Sequence, residues 1–109
     1  MTKTIEELLP ELAKIFEENY EATGYGLSYR IEFESGSKYI RIVCTSGSQR
    51  HCAGFVCAKD STTKAGSFKA GDLLKCATWK APALNFARGS IFDLEKAKND
   101  GHIKWTGIA

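Results

Sequence analysis

A chain of 109 residues, 43% of them hydrophobic and 26% charged, has the make-up of a single globular domain rather than a disordered or fibrous segment. No apolar run approaches the roughly 18 residues needed to cross a bilayer. The opening Met1-Thr2-Lys3-Thr4 lacks the apolar core of a signal peptide, so the expected setting is the cytosol, away from membrane. The net charge of +2 is unevenly placed: residues 1–34 hold three basic and eight acidic side chains (−5), residues 35–90 nine and two (+7), and residues 91–109 three of each. This split points to an anionic partner at the basic part, with solvated lysines guarding strand edges as the other reading.

Residues 4–22 predict a helix. Ile5, Leu8, Leu9, Leu12, Ile15, Phe16 and Tyr20 recur at the spacing of one buried face. Thr4 and Glu7 fit a capping box, and Glu6, Glu7 and Glu11 suit the positive end of the helix dipole. Pro10 either kinks this helix or marks its true first turn. Gly24 and Gly26 mark the stop. Leu27, Tyr29, Ile31 and Phe33 then alternate with polar residues through Glu34, the period of a half-buried strand. Ser35-Gly36-Ser37-Lys38 predicts a hairpin turn, and Tyr39–Cys44 the return strand. Thr45–Arg50 reads as a turn, Cys52–Lys59 as a third strand, Asp60–Gly71 as an irregular loop or hairpin tip, and Leu73–Trp79 as a fourth strand.

Beyond Trp79 the regular pattern stops. Pro82 forces an extended entry, Leu84–Ala87 suits one helical turn, and Asp93 is placed to cap a short helix, Leu94–Asp100, that ends at Gly101. His102–Thr106 suits a last strand. The predicted fold is α+β in a single domain, residues 1–109. An N-terminal amphipathic helix packs on an antiparallel sheet of four to five strands, followed by a short C-terminal helix and strand. The buried set is expected to include Leu8, Leu12, Phe16, Ile31, Phe33, Ile40 and Ile42.

The sequence offers little chemistry. Cys44, Cys52, Cys57 and Cys76 contain no C-x-x-C pair. His51, Cys52 and Cys57 could supply three metal ligands, but adjacent strand residues point to opposite faces, so buried reduced thiols are the expectation. There is no Gly-x-Ser-x-Gly elbow. A dyad of Cys52 or Cys76 with His102 is the remaining nucleophilic arrangement. Gly66-Ser67-Phe68-Lys69-Ala70-Gly71 lacks the Gly-Lys-Ser/Thr ending of a phosphate loop. The expectation is therefore no catalytic residue, no cofactor and no metal.

The informative stretch runs from Gly71 to Asp93. It sets Trp79 and Phe86 among Lys75, Lys80, Asn85 and Arg88, with small residues that let backbone approach a surface. An aromatic face beside cations suits a nucleotide or single-stranded nucleic acid, and Arg88 has the fork that grips phosphate. Lys75, Trp79, Lys80, Asn85 and Arg88 are therefore the candidate ligand-binding residues. In the competing reading Trp79 and Phe86 are core plugs and Arg88 is a loop anchor.

Gly71, Asp72, Lys75, Trp79, Lys80, Ala81, Pro82 and Ala83, then Ala87, Arg88, Gly89, Ile91, Phe92 and Asp93, form a block that resembles one in small tailed-bacteriophage proteins. That resemblance implies a phage origin, a bacterial host cytosol and a shared fold, and it carries no activity. A phage origin favours a non-enzymatic binding protein for host takeover or anti-defence, and the basic segment makes its expected partner anionic, a nucleotide or nucleic acid. A protein–protein inhibitor of a host defence enzyme, acting through the acidic helix face or the exposed loop, is the alternative, and a virion or assembly accessory the second. Homo-oligomerisation is left open.

Overall fold

The computed structural model describes residues 4–24, 26, 28–64, 66–84 and 87–109, the side chain of Thr63 excepted. Helix α1 spans Ile5–Glu21. Its capping box is formed: the Glu7 N–H donates to Thr4 Oγ1 at 3.2 Å, and the Thr4 N–H to Glu7 Oε1 at 3.2 Å. Pro10 lies inside the helix, on its exposed side, and the helix runs through it without interruption. The proline withholds one intrahelical donor but does not start the helix, which settles the choice left by the sequence.

Strands β1 (Tyr29–Ser35), β2 (Tyr39–Ser46) and β3 (Gln49–Cys57) form an antiparallel meander, and β6 (Leu73–Leu74) completes a sheet in the order β1-β2-β3-β6. The β1–β2 hairpin closes where the sequence places it, with the Gly36 N–H donating to Tyr39 O at 2.9 Å. Leu27, expected in β1, lies outside the described residues. The turn expected over Thr45–Arg50 is tighter, because the strands continue to Ser46 and resume at Gln49. Gly47 at φ +60 supplies the left-handed residue that a two-residue hairpin turn needs. In the β2–β3 ladder Ile42 faces Gly54 and Val43 faces Cys52, so Ala53 is an extra, bulged residue.

The Asp60–Gly71 loop contains a small hairpin of β4 (Ser61–Thr63) and β5 (Gly66–Phe68). The fourth strand is shorter than the expected Leu73–Trp79. After Leu74 the chain satisfies its backbone groups within itself: Ala83 N–H donates to Lys75 O at 2.7 Å, and Cys76 forms a bridge with Pro82. The free edge of β6 is instead paired by residues 88–90, where Leu73 N–H donates to Gly89 O at 2.8 Å and Arg88 N–H to Leu73 O at 2.7 Å. Neither Leu84 nor Ala87 is helical, and residues 85 and 86, the middle of the expected helical turn, lie outside the described residues. A short 3-10 turn at Ile91–Asp93, capped by Ser90, leads into α2 (Leu94–Asn99), whose N-cap is Asp93 as expected. The expected strand His102–Thr106 is two short strands, β7 (Ile103–Lys104) and β8 (Gly107–Ile108), paired as a hairpin. No described helix is long and apolar enough to cross a membrane.

The sheet is covered on both faces. On one, Leu12 and Phe16 of α1 meet Ile31, Ile40, Ile42, Cys44 and Val56, joined by Ile91, Ala97, Ile103 and Ile108. Leu8 and Phe33, expected in the buried set, sit half-buried at its margin. On the other, Phe55, Cys57, Phe68 and Leu74 pack beneath Leu84 and Ala87. A helix alone would bury one face, so Phe68, Cys76, Leu84 and Ala87, from the chain that follows β3, form the second layer.

Gly54 shows how tightly these layers meet. It has φ +147, and a Cβ there would lie 2.7 Å from Ile108 Cγ1 and 2.9 Å from the Leu74 carbonyl oxygen. Gly54→Ala is expected to lower stability by about 1–3 kcal/mol in urea denaturation, the typical cost of overpacking. A change below about 0.5 kcal/mol, the usual range for an unconstrained surface position, would show that β8 simply moves aside.

Candidate functional site

Residues 76–82 fold into a compact loop. The Ala77 and Thr78 N–H groups donate to Ala81 O at 3.1 and 3.0 Å, and Thr78 Oγ1 accepts from the N–H groups of Lys80 and Ala81. Its tip, Thr78-Trp79-Lys80, reaches the polar part of the sheet's second face. There Arg41 Nε donates to the Trp79 carbonyl at 2.7 Å. The Arg41 guanidinium carbon is 4.9 Å from the Trp79 ring centroid and that of Arg50 is 5.2 Å away. Both are cation–π distances.

One carboxylate organises both arginines. Glu34 stands directly opposite Arg41 in the β1–β2 ladder. Arg41 Nη1 donates to Glu34 Oε1 at 2.7 Å, and Arg50 Nη2 to Glu34 Oε2 at 3.0 Å. These two charged hydrogen bonds hold the Glu34 carboxyl below the ordinary carboxylate range. Trp79 remains 38% exposed, an unusual position for a large aromatic held so firmly.

Beside this cluster lies an open cleft of about 360 Å³, lined by Glu34, Lys38, Tyr39, Arg41, Phe55 and Lys80 together with the Ser35-Gly36-Ser37 turn. Lys38, Arg41 and Lys80 line this cleft with one carboxylate, Glu34, to which Arg50 is also paired, leaving an excess of positive charge next to aromatic side chains. A slightly larger cleft, about 380 Å³, opens between the end of α1 and Tyr29, but Glu17 and Glu21 line it and would repel an anion.

Of the sequence-selected residues, Trp79 and Lys80 meet at this place. Lys75 lines a separate cleft with Cys52, Cys76 and Lys104. Arg88 is half-buried beside β6, with its backbone bonded to Leu73, and is not among the residues lining the 360 Å³ cleft. Asn85 lies outside the described residues. Arg41, Arg50, Glu34 and Lys38 were not singled out by sequence. Their signal was isolated charges on β1, β2, β3 and the first hairpin turn, which become a site only once the strand register is known. The histidines face backbone: His51 Nε2 is 3.3 Å from Thr106 O, and His102 Nδ1 is 2.8 Å from Ala109 O. Among the described residues no three His, Cys, Asp or Glu side chains cluster closely enough to hold a metal ion.

Compared with protein-family models, curated proteins and solved structures, the chain matches none of them.

Because the Glu34 pKa is depressed in the folded state, its contribution to stability is present above the unfolded carboxylate value of 4.5 and is lost as pH falls through the lower folded value. In a carboxyl NMR titration Glu34 is expected to have its midpoint below 4.5, and Arg41→Ala to move that midpoint upward. A midpoint unchanged by the substitution would show that Arg41 does not hold the carboxylate in solution.

Proposed function

We propose that this protein is a small, non-enzymatic, phage-encoded binding protein that recognises an anionic, nucleotide-like or nucleic-acid-containing partner in host takeover or anti-defence. The observation that carries this reading is Trp79, exposed yet pinned over Arg41 and Arg50 at the margin of a cationic cleft. A base stacks on an aromatic face without sequence preference, and a phosphate placed in the cleft meets Lys38, Lys80 and Arg41. The aromatic is already ordered, so binding costs little side-chain entropy. The resemblance of the Gly71–Asp93 block to small phage proteins supports the biological setting.

A second reading rests on a different surface. Phe92 is 47% exposed and, with Leu8, Ile15, Ile91 and Leu94, lines a groove against α1 whose polar lining is Glu11, Lys14 and Glu18. An apolar patch with a net negative rim suits a basic segment of a host protein, as an inhibitor of a defence enzyme would require.

The two readings separate by fluorescence anisotropy with a fluorescein-labelled single-stranded oligonucleotide, and by nucleotide quenching of tryptophan emission. Trp79→Ala is expected to weaken binding by about 1–3 kcal/mol, the usual worth of one stacked base. Lys80→Ala should reduce the salt dependence by about one phosphate contact. Lys75→Ala and Arg88→Ala, outside the cleft, are expected to have smaller effects. If folded Trp79→Ala binds like the parent, or neither probe binds at low salt, the inhibitor reading takes precedence.

A further inference from the structure

Two of the four thiols meet in space. Phe55 pairs with Leu74 across β3 and β6, and Cys52, just before the Ala53 bulge, and Cys76, just after Leu74 and Lys75, lie toward the same end of that pairing. Both side chains pack against the same cluster on the sheet's second face, and both line one cleft of about 330 Å³ together with Lys75 and Lys104. Each thiol donates to a backbone carbonyl, Cys52 Sγ to Gly54 O at 3.5 Å and Cys76 Sγ to Thr78 O at 2.8 Å. Both are partly exposed, whereas Cys44 and Cys57 are fully buried.

We propose that Cys52 and Cys76 form a reversible disulfide site, closed by a low-molecular-weight disulfide and reopened by thiols. Nothing in this inference depends on the anion-binding reading. The two sulfurs have different roles. Burial first, then the neighbouring Cys76 thiol, pushes the Cys52 thiol up to about 12, which makes it a poor first nucleophile. Cys76 sits at the foot of the exposed loop, its thiol donating to Thr78 O at 2.8 Å. Cys76, as thiolate, attacks one sulfur of the oxidant, forming a mixed disulfide and releasing one thiolate, which takes up a proton. Cys52 then loses its proton to solvent and attacks the Cys76 sulfur, and the second oxidant thiolate leaves and is protonated. Two protein thiols become one disulfide, and one oxidant disulfide becomes two thiols. Lys75 and Lys104 line the same cleft. The closed bond ties the foot of the Trp79 loop to β3.

The test is oxidised glutathione added to the folded full-length protein, followed by acid quench, denaturation, alkylation and peptide mapping without reductant. The expected result is loss of two alkylatable thiols, a single Cys52–Cys76 cross-linked peptide pair, and full recovery with dithiothreitol. Cys44 and Cys57 should stay alkylatable throughout. Cys52→Ser should stop at a glutathione adduct on Cys76, and if that variant fails to fold, the map of the parent protein decides alone. Four alkylatable thiols at the end, adducts without the internal bond, a bond between two chains, or a pair containing Cys44 or Cys57 would each overturn the proposal.

Discussion

From Ala53 to Cys57 strand β3 has no solvent face. Val56 points into the helix side of the sheet while Phe55 and Cys57 point into the other, so both sides must be covered before the strand is stable. The helix can serve only one of them. The long passage between β3 and α2 supplies the other cover, and its conformation follows from that demand. The β4–β5 hairpin contributes Phe68, Leu84 and Ala87 close the gap, and residues 88–90 pair the outer edge of β6. The loop that carries Trp79 is therefore the continuation of a layer required for folding. Its position over the arginines is inherited from the core rather than set by local flexibility.

The parts legible in sequence are those whose cause is local. The Thr4/Glu7 capping box and the apolar spacing of α1 are contained within a few turns, and so are the alternation of β1 and the Asp93 cap of α2. Each is found where the sequence places it. The misread parts depend on remote partners. Leu73–Trp79 has the composition of a strand, yet the chain leaves the sheet after Leu74 because Ala83 and Pro82 return to pair with Lys75 and Cys76. His102–Thr106 divides into a hairpin because Gly107 must pass close to the Ala53 carbonyl, where a Cβ would stand 2.6 Å from its oxygen. The site behaves in the same way. Trp79 and Lys80 were visible as residue types, but Glu34, Arg41 and Arg50 lie on three strands and meet only through the ladder.

The electrostatics of the cluster have two consequences that pull in opposite directions. Glu34 neutralises part of the charge an anion would otherwise feel, which weakens attraction at the arginines themselves. It also fixes both guanidinium groups in place, which removes the cost of ordering them when a ligand arrives. The uncommitted positive charge is then that of the lysines flanking the cleft, on the β1–β2 turn and the Trp79 loop. Stacking at the tryptophan and charge at the lysines are thus separable contributions. One should be insensitive to ionic strength and the other strongly dependent on it.

Helix α1 is joined to the far end of the chain. Asn19 Nδ2 donates to Ile103 O at 2.9 Å, and Tyr29 OH, beneath the stacked ring of Tyr20, donates to Trp105 O at 2.8 Å. The helix therefore lacks these partners until residues 103–105 are also in place. Contacts of such long sequence separation cost loop-closure entropy before they form and make folding slow to begin. Until then the apolar stripe of Leu12 and Phe16 is uncovered, and the net negative charge of residues 1–34 opposes association of like segments through it.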